Sequence, residues 1–320
     1  MNGALYPPIE PHEQGALDVG DGHVLHFEMC GHHTGVPALF LHGGPGSSIN
    51  PGHRRFFDPS FYRIVLFDQR GCGRSSPRGA IAHNTTAHLI ADVERLRRHL
   101  DVSRWMVFGG SWGSTLALAY AQAHPASVSG VVLRGLFLGT RTEVDWFLEG
   151  LRRFVPEAWA EFAGGAAQAG ARELLGRYAS QVLGPDRTAA LGAARRWAAY
   201  ESALMAVGEV PGASSPAADD DAVLDRVRVH LHYLAADCFL QPGGLLSALD
   251  ALAQTPAILV QGRRDLVCPP ATAYTVQQAW RSARLCMVEE GGHSAAHPAM
   301  AAALVRATED MKTLLERTPR

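Results

Sequence analysis

The chain has 320 residues, of which 47% are apolar and 19% are charged, an ordinary composition for a globular protein. This length is sufficient for one large core with an inserted subdomain. The formal net charge of −2 excludes the electrostatic footprint of a protein that binds nucleic acid or an anionic membrane.

The beginning of the chain and its apolar runs bear on where the protein works. Residues 1–10 contain neither a basic start nor an apolar segment, so they do not read as a secretory signal. No apolar run approaches the ~18 residues that span a bilayer. We therefore expect a cytoplasmic protein without membrane-spanning segments.

Cysteine and lysine usage narrows the chemistry further. The cysteines are scattered and include no C-x-x-C pair, which argues against a disulfide framework and against a zinc site. Lys312 is the only lysine and lies in a terminal amphipathic segment, which argues against Schiff-base chemistry, a Walker phosphate site and a pyridoxal-phosphate anchor. We expect neither metal nor cofactor. Most of the five cysteines are predicted to be buried thiols: Cys30, Cys72, Cys238, Cys268 and Cys286.

The first part of the chain, up to about residue 139, alternates apolar runs with amphipathic helices. Residues 38–41, 62–67 and 131–133 read as buried strands that end in glycine and polar residues. A helix is predicted to open within residues 84–86, because apolar residues then recur at helical spacing from Leu89 to Leu100. This alternation predicts an α/β fold with a mostly parallel, doubly wound sheet.

Between these strands, a G-x-S-x-G motif places Ser111 at a sharp turn. A buried strand is predicted at residues 105–108 and a helix at residues 115–121. A strand-to-helix turn this sharp leaves no room for side chains beside the serine, so Gly109 and Gly113 are expected there. The turn exposes the serine hydroxyl above the sheet and makes Ser111 a candidate nucleophile.

From residue 142 onward strand-like runs nearly disappear and helix formers dominate. The sheet then resumes with predicted strands at residues 257–260 and 284–288. We therefore expect an α/β core (1–140), an inserted helical cap (141–242) and a return to the core (243–320). Within the cap we predict a loop at residues 208–216 and helices at residues 146–154, 171–183, 188–207 and 222–235.

A serine nucleophile needs a base, and the base needs an orienting acid. Asp265 and His293 each follow a predicted strand, where catalytic groups of open α/β sheets gather. The order Ser, Asp, His is that of the α/β-hydrolase arrangement. Taken singly, Asp265 also reads as a helix N-cap and His293 as an ordinary loop histidine. His297 competes for the role of base, but it precedes Pro298 and is predicted to begin a helix.

The oxyanion formed during acyl transfer needs backbone donors. The N–H of Trp112, the residue after the nucleophile, should supply one of them. The second should come from the loop after an earlier strand, where the segment HGGPG stands at residues 42–46. An ordinary glycine turn is the alternative interpretation of that loop.

Three segments together resemble the proline iminopeptidases, α/β-hydrolase serine peptidases that remove an N-terminal proline. They are HGGPG (42–46), FDQRGCGRS (67–75) and GGSWGS (109–114), and residues 133–137 and 262–269 fit the same family. The resemblance covers nearly the whole chain. It implies Gly44 and Trp112 as oxyanion donors, and a cytoplasmic exopeptidase that acts on short peptides with a free N-terminus and needs no metal or cofactor.

The resemblance also implies substrate-binding residues. Glu201, in the cap segment WAAYE, is the candidate partner of the substrate's α-ammonium, which needs a carboxylate in a partly dry pocket. A second acid is expected where this chain has His230, and an aromatic residue where it has Leu234. Asp225 and Asp237 are near enough in sequence to compensate. Three further pocket positions are implied: Arg134, Phe137 and Cys268.

Three functions therefore remain open. The first is a serine aminopeptidase for N-terminal proline. The second is an esterase or amidase that uses the same triad under a differently adapted cap. The third is a catalytically silent binding protein of the same fold, which normally requires a damaged triad.

Overall fold

The structure is a computed structural model that describes residues 5–166, 169–207 and 219–317. Over these residues the chain forms an eight-stranded sheet with the strand order β1-β2-β4-β3-β5-β6-β7-β8. The β1–β2 and β2–β4 pairings are antiparallel and the remaining pairings are parallel. The predicted α/β fold is confirmed. The strands are Glu13–Gly20 (β1), His23–Gly31 (β2), Val36–Leu41 (β3), Tyr62–Phe67 (β4), Trp105–Gly110 (β5), Val128–Arg134 (β6), Ala257–Gly262 (β7) and Ala283–Val288 (β8).

Helices lie on both faces of the sheet, and this explains the continuous apolar runs of the central strands. The α-helices are Thr86–His99 (α1), Trp112–Ala123 (α2), Arg141–Leu148 (α3), Pro156–Ala163 (α4), Ala171–Val182 (α5), Arg187–Ala206 (α6), Asp220–Ala235 (α7), Gly244–Ser247 (α8), Pro270–Ala279 (α9) and Pro298–Arg317 (α10). Val107 of β5 packs into the cluster beneath α1, α2 and α9, whereas its neighbours Met106 and Phe108 pack into the cluster beneath α10. Side chains alternate between the faces of a strand, so only a strand covered on both sides needs every residue apolar.

Helices α3 to α7 stand between β6 and β7, and we call residues 141–242 the helical insertion. An aromatic cluster holds it together: the Phe162 ring stacks on Tyr178 and Tyr200 at centroid distances of 4.6 and 4.3 Å, and Trp197 packs edge-on against Phe162. Such pairs stabilise by about 0.5–1.5 kcal/mol each beyond the apolar area they bury. The predicted loop at 208–216 lies outside the described residues.

Two predictions about local structure were wrong. The helix predicted at residues 146–154 ends at Leu148 and is followed by a separate 3-10 turn, Gly150–Arg153, because Glu149 leaves the helical conformation with φ −129°. Strands β1 and β2 were not predicted. Strand β1 lies at the sheet edge, and its sequence EQGALDVG is mostly exposed, so it has no apolar run to reveal it.

The last helix of the insertion, α7, packs onto the sheet-end loops of the core. A Cβ atom on Gly46 would lie 2.3 Å from the carbonyl oxygen of Arg226, so only glycine permits this approach. Further along α7, the Tyr233 ring packs edge-on against Trp112 at 4.8 Å, and its hydroxyl donates to Asn84 Oδ1 at 2.8 Å. Helix α7 therefore lies directly over the loop at 42–46 and the turn at Ser111.

Candidate active site

Ser111 occupies a strained turn between β5 and α2. Its backbone has φ 56° and ψ −125°, in the half of conformational space that side chains disfavour. The two flanking glycines are required sterically. A Cβ on Gly109 would lie 2.1 Å from the Gly113 carbonyl oxygen, and one on Gly113 would lie 2.2 Å from that of Leu41. The geometry is that of the nucleophile elbow that the motif predicts.

Asp265 and His293 form a hydrogen-bonded pair at the ends of β7 and β8. His293 Nδ1 lies 2.8 Å from Asp265 Oδ2, and because an ionised carboxylate only accepts, the proton is assigned to Nδ1. The other oxygen, Oδ1, accepts from the backbone N–H of Cys268 at 2.8 Å. Buried Gln261 donates to the Cys268 carbonyl oxygen at 2.9 Å and braces this loop. In the neutral imidazole, Nε2 is then the acceptor nitrogen.

Nε2 of His293 faces a guanidinium. Arg134 Nη1 lies 3.3 Å from that atom and donates to the His293 carbonyl oxygen at 2.9 Å, which anchors the histidine loop to the end of β6. Burial lowers the pKa of Arg134. Among the hydrogen bonds of the described residues, none joins Ser111 Oγ to His293 Nε2. The bond between a nucleophile and its base often tightens only when substrate is present.

The side chain of Cys268 is a further neighbour of Ser111. Its thiol interacts with the Ser111 side chain. Burial raises the pKa of Cys268 well above its usual value, and the negative charges of Asp265 and Glu143 act in the same direction. The thiol is therefore protonated and cannot act as a competing nucleophile. The five cysteines are free, and all except the half-buried Cys286 are buried, as predicted.

The loop at residues 42–46 lies against the elbow. A Cβ on Gly43 would come within 3.4 Å of Ser111 Cβ, and Gly44 adopts φ 113° ahead of a cis bond to Pro45. Trp112 begins α2 directly after the serine. Both of the backbone donors predicted for an oxyanion therefore belong to segments that meet at Ser111.

A buried glutamine that was not among the predicted site residues joins these two segments. Gln69 Oε1 accepts from the Trp112 indole Nε1 at 2.9 Å, while its Nε2 donates to the His42 carbonyl oxygen at 2.9 Å. The backbone N–H of Gln69 donates to His42 Nε2 at 3.0 Å, so the His42 proton sits on Nδ1, 3.0 Å from the Gly43 oxygen. Burial lowers the pKa of His42 and keeps it neutral in this arrangement. The only sequence feature that indicates this bridge is the segment FDQRG at residues 67–71.

In the helical insertion, Glu201 and His230 lie together, and Arg226 joins them. Glu201 Oε2 lies 2.6 Å from Arg226 Nη1, and Oε1 lies 3.4 Å from His230 Nδ1. Burial raises the pKa of Glu201, but the charge of Arg226 and its hydrogen bond oppose this effect, and the net shift is downward, so the carboxylate is ionised. Burial lowers the pKa of His230 and leaves it neutral at pH 7. Arg226 was not predicted.

The two acids proposed to compensate for His230 have other partners. Asp225 lies 3.4 Å from Arg78, and Asp237 lies 3.1 Å from Arg141. Leu234 is buried in the main core cluster. The main chain of Phe137 is held by two side chains of α2, Ser114 and Thr115, so this residue follows the elbow closely.

One group of possible metal ligands occurs in the part of the chain that the structure describes. Donor atoms of Asp21, His83 and His88 lie within 4.8 Å of one another, and Asp21 also pairs with Arg70 at 3.2 Å. None of them is a residue of the Ser111 site. Among the described helices, none is long and apolar enough to cross a membrane.

The chain is similar to known proteins over most of its length. The profile of a family described as alpha/beta hydrolase fold matches residues 37–298. The proline iminopeptidase of Arabidopsis thaliana is 44% identical over 316 residues, which cover 97% of this chain and 83% of that protein. The proline iminopeptidase of Xanthomonas citri is 43% identical over 307 residues, 95% of this chain and 98% of that protein.

Solved structures share the fold at lower identity. A proline iminopeptidase-related protein from Thermus thermophilus has a TM-score of 0.59 and 23% identity, with 96% of this chain and 99% of that chain covered. The esterase RhEst1 from Rhodococcus has a TM-score of 0.57 and 19% identity, with 97% and 100% covered. At these identities, the likeness to solved structures extends to the fold alone.

Proposed function

This chain belongs to the proline iminopeptidase family of α/β-hydrolase-fold proteins, and we propose that it is a serine aminopeptidase that releases proline from the free N-terminus of short peptides. The hydrolytic part of this proposal is supported by the 2.8 Å bond from His293 to Asp265 beside the strained elbow of Ser111. The aminopeptidase part is supported by Glu201, an ionised and mostly buried carboxylate of the helical insertion.

In the proposed reaction, Ser111 Oγ attacks the carbonyl carbon of the N-terminal residue and its proton passes to His293 Nε2. Asp265 holds the imidazole tautomer and stabilises the imidazolium that forms. The N–H groups of Gly44 and Trp112 bind the oxyanion. This stabilisation is usually the largest source of rate enhancement in such chemistry. When the intermediate collapses, the C–N bond breaks and the imidazolium protonates the leaving amine. Water then hydrolyses the prolyl ester of Ser111, again with His293 as base.

Glu201 supplies the selectivity for a free N-terminus in this proposal. An α-ammonium loses its hydration on entering a partly dry pocket, and a carboxylate partner offsets that cost. Phe137, Cys268 and Arg134 border the serine as pocket residues. The helical insertion, residues 141–242, then acts as a cap on a catalytic core made of residues 1–140 and 243–320.

We place this activity in the cytoplasm. Five free cysteines suit a reducing compartment, where disulfides are rare. The proposal assigns neither metal nor cofactor to the reaction, and the formal net charge of −2 gives no reason to expect nucleic acid as a partner.

The proposal is tested by comparing three anilides: L-prolyl, L-alanyl and N-acetyl-L-prolyl. We expect the prolyl compound to be cleaved with the highest kcat/KM and the acetylated compound to be cleaved at least about tenfold more slowly, because acetylation removes the charge that Glu201 binds. Equal rates on all three, with faster turnover of simple acyl esters, would replace the aminopeptidase by an esterase or amidase of the same fold.

A further inference from the structure

The carboxylate assigned to the substrate's ammonium is already occupied by a cation of the protein itself. Arg226 Nη1 lies 2.6 Å from Glu201 Oε2, and the side chains are 33% and 17% exposed, so the pair is in partial contact with water. An ion pair at this distance involves a charge-assisted hydrogen bond, about twice as strong as a neutral one. The guanidinium therefore stands where an incoming ammonium would need to bind.

The charges around Glu201 leave no net negative charge to attract the ammonium of a substrate. The second neighbour, His230, is 9% exposed and neutral at pH 7, because burial outweighs the attraction of Glu201 in setting its pKa. Its Nδ1 has no hydrogen-bond partner of good geometry, although Glu201 Oε1 lies 3.4 Å away. One carboxylate, one guanidinium and one neutral imidazole sum to zero. A pocket built on two acids would present two negative charges to the ammonium.

The helix that carries Arg226 packs on the loop of the proposed oxyanion donor and on the elbow. Arg226 contacts Gly46 through its carbonyl oxygen, and Gly46 ends the loop that carries the proposed oxyanion donor. His230 follows one helical turn later on the same face of α7. Tyr233, on that same face, packs on Trp112. Because helix α7 is held at these points, the guanidinium leaves Glu201 when the flexible Arg226 side chain changes its conformation.

We propose that Arg226 is a specificity-determining residue that competes with the substrate's α-ammonium for Glu201. This inference rests on the proposed aminopeptidase function. A free N-terminus must displace a guanidinium before it can bind, whereas an uncharged substrate has no such requirement. Arg226 therefore weakens the binding of free N-termini and narrows the preference for them over uncharged substrates. The secondary ammonium of an N-terminal proline, with two N–H donors, then replaces a planar fork that fits a carboxylate closely.

The kinetic test uses Arg226→Gln with Arg228→Gln as its matched control. Arg228 lies two residues further along the same helix and donates instead to the Val182 carbonyl oxygen, so its loss changes the net charge equally but not the pocket. At pH 7, we expect R226Q to raise kcat/KM for L-prolyl anilide about tenfold, mostly through a lower KM. Turnover of p-nitrophenyl acetate is expected to stay unchanged. R226K, which retains the charge without the fork, should fall between the wild type and R226Q.

A lower or unchanged kcat/KM in R226Q would overturn the proposal, since Arg226 would then only hold Glu201 in place. An equal rise in R226Q and R228Q would also overturn it, because the effect would be one of overall charge. The thermal midpoint of each variant checks its fold.

A binding experiment separates this inference from the aminopeptidase proposal. In a Ser111→Ala background, calorimetry with L-prolinamide and N-acetyl-L-prolinamide needs no turnover. We expect R226Q to tighten prolinamide binding about tenfold and to leave the acetylated compound unaffected. If the wild type cleaves only esters, the aminopeptidase proposal fails, and this measurement still decides the role of Arg226. No difference between R226Q and its parent, or no binding to either, overturns the inference.

Discussion

The serine site and the Glu201 site differ in the local features that position their residues. Asp265 is held by Cys268, three residues away, and Ser111 by its own flanking glycines. Glu201 of α6, by contrast, meets Arg226 and His230 of α7, a separate helix. The short-range motifs at the strand ends carry the proposed chemistry, whereas packing between two helices sets the proposed selectivity. This difference implies that selectivity can change by substitutions in α7 without damage to the triad.

The largest expected effect comes from the serine. Ser111→Ala is expected to lower kcat for L-prolyl anilide by about 10⁴-fold or more, because the covalent step is lost, while L-prolinamide binding stays near that of the wild type. Ser247→Ala is the control, since this exposed hydroxyl donates only to the nearby Gly244 oxygen. Turnover that survives in S111A would show that the elbow is not the catalytic centre.

A smaller effect is expected from the bridge between the oxyanion segments. Gln69→Leu removes the side-chain hydrogen bonds to the Trp112 indole and to the His42 carbonyl oxygen. The N–H groups of Gly44 and Trp112 should then lose their relative placement. We expect kcat to fall roughly ten- to a hundredfold with little change in KM, as a loss confined to the transition state requires. Gln122→Leu is the control, because it removes a comparable bond, to Leu245, elsewhere on α2. A lower thermal midpoint with normal kcat would make Gln69 purely structural.

A substitution at Glu201 should change KM and not kcat. Glu201→Gln keeps the shape of the side chain but removes its charge, so we expect KM for L-prolyl anilide to rise about tenfold while ester turnover is unchanged. Glu173→Gln, an exposed glutamate of α5, is the matched control. A fall in kcat for esters in E201Q would mean that this carboxylate acts on the triad and not on the amine.

The last expected effect is on acid stability, at the half-buried His53. Burial lowers the pKa of His53 from 6.5 to about 3. As the pH falls below 6.5, the unfolded chain gains a proton at this position before the folded one does, so the free energy of unfolding decreases until the pH reaches about 3. The thermal midpoint of the wild type should therefore fall between pH 7 and pH 4.

His53→Gln removes this contribution but also the stacking of His53 on Phe40, at 4.4 Å. We expect the variant to be less stable than the wild type at pH 7 and the difference in thermal midpoint to shrink toward pH 4. His32→Gln, at an exposed position, is the control. A difference that stays constant across this range would exclude His53 as a source of acid lability.

Prediction from the sequence succeeded where structure depends on neighbours in the chain. Strand β4 was predicted with its observed bounds, because a strand covered on both faces must be apolar throughout. The N-terminus of α1 was predicted within residues 84–86, and the structure shows that the Thr85 hydroxyl caps it by accepting from the N–H of His88. Strand β1 was missed because an exposed edge strand has no such requirement. The helix predicted at residues 146–154 lies instead at Arg141–Leu148, and its end depends on how Glu149 leaves the helix.

By itself, the sequence determined the α/β-hydrolase fold, the elbow at Ser111 and the strand ends that carry Asp265 and His293. These follow from glycine sterics and from apolar runs, both of which are local properties. The pairing of Glu201 with Arg226 and the bridge from Gln69 to Trp112 were decided only by the tertiary structure. In each of these contacts the partners are 25 to 43 residues apart. Whether such side chains meet depends on how two separate elements pack, and no pattern along the chain encodes that placement.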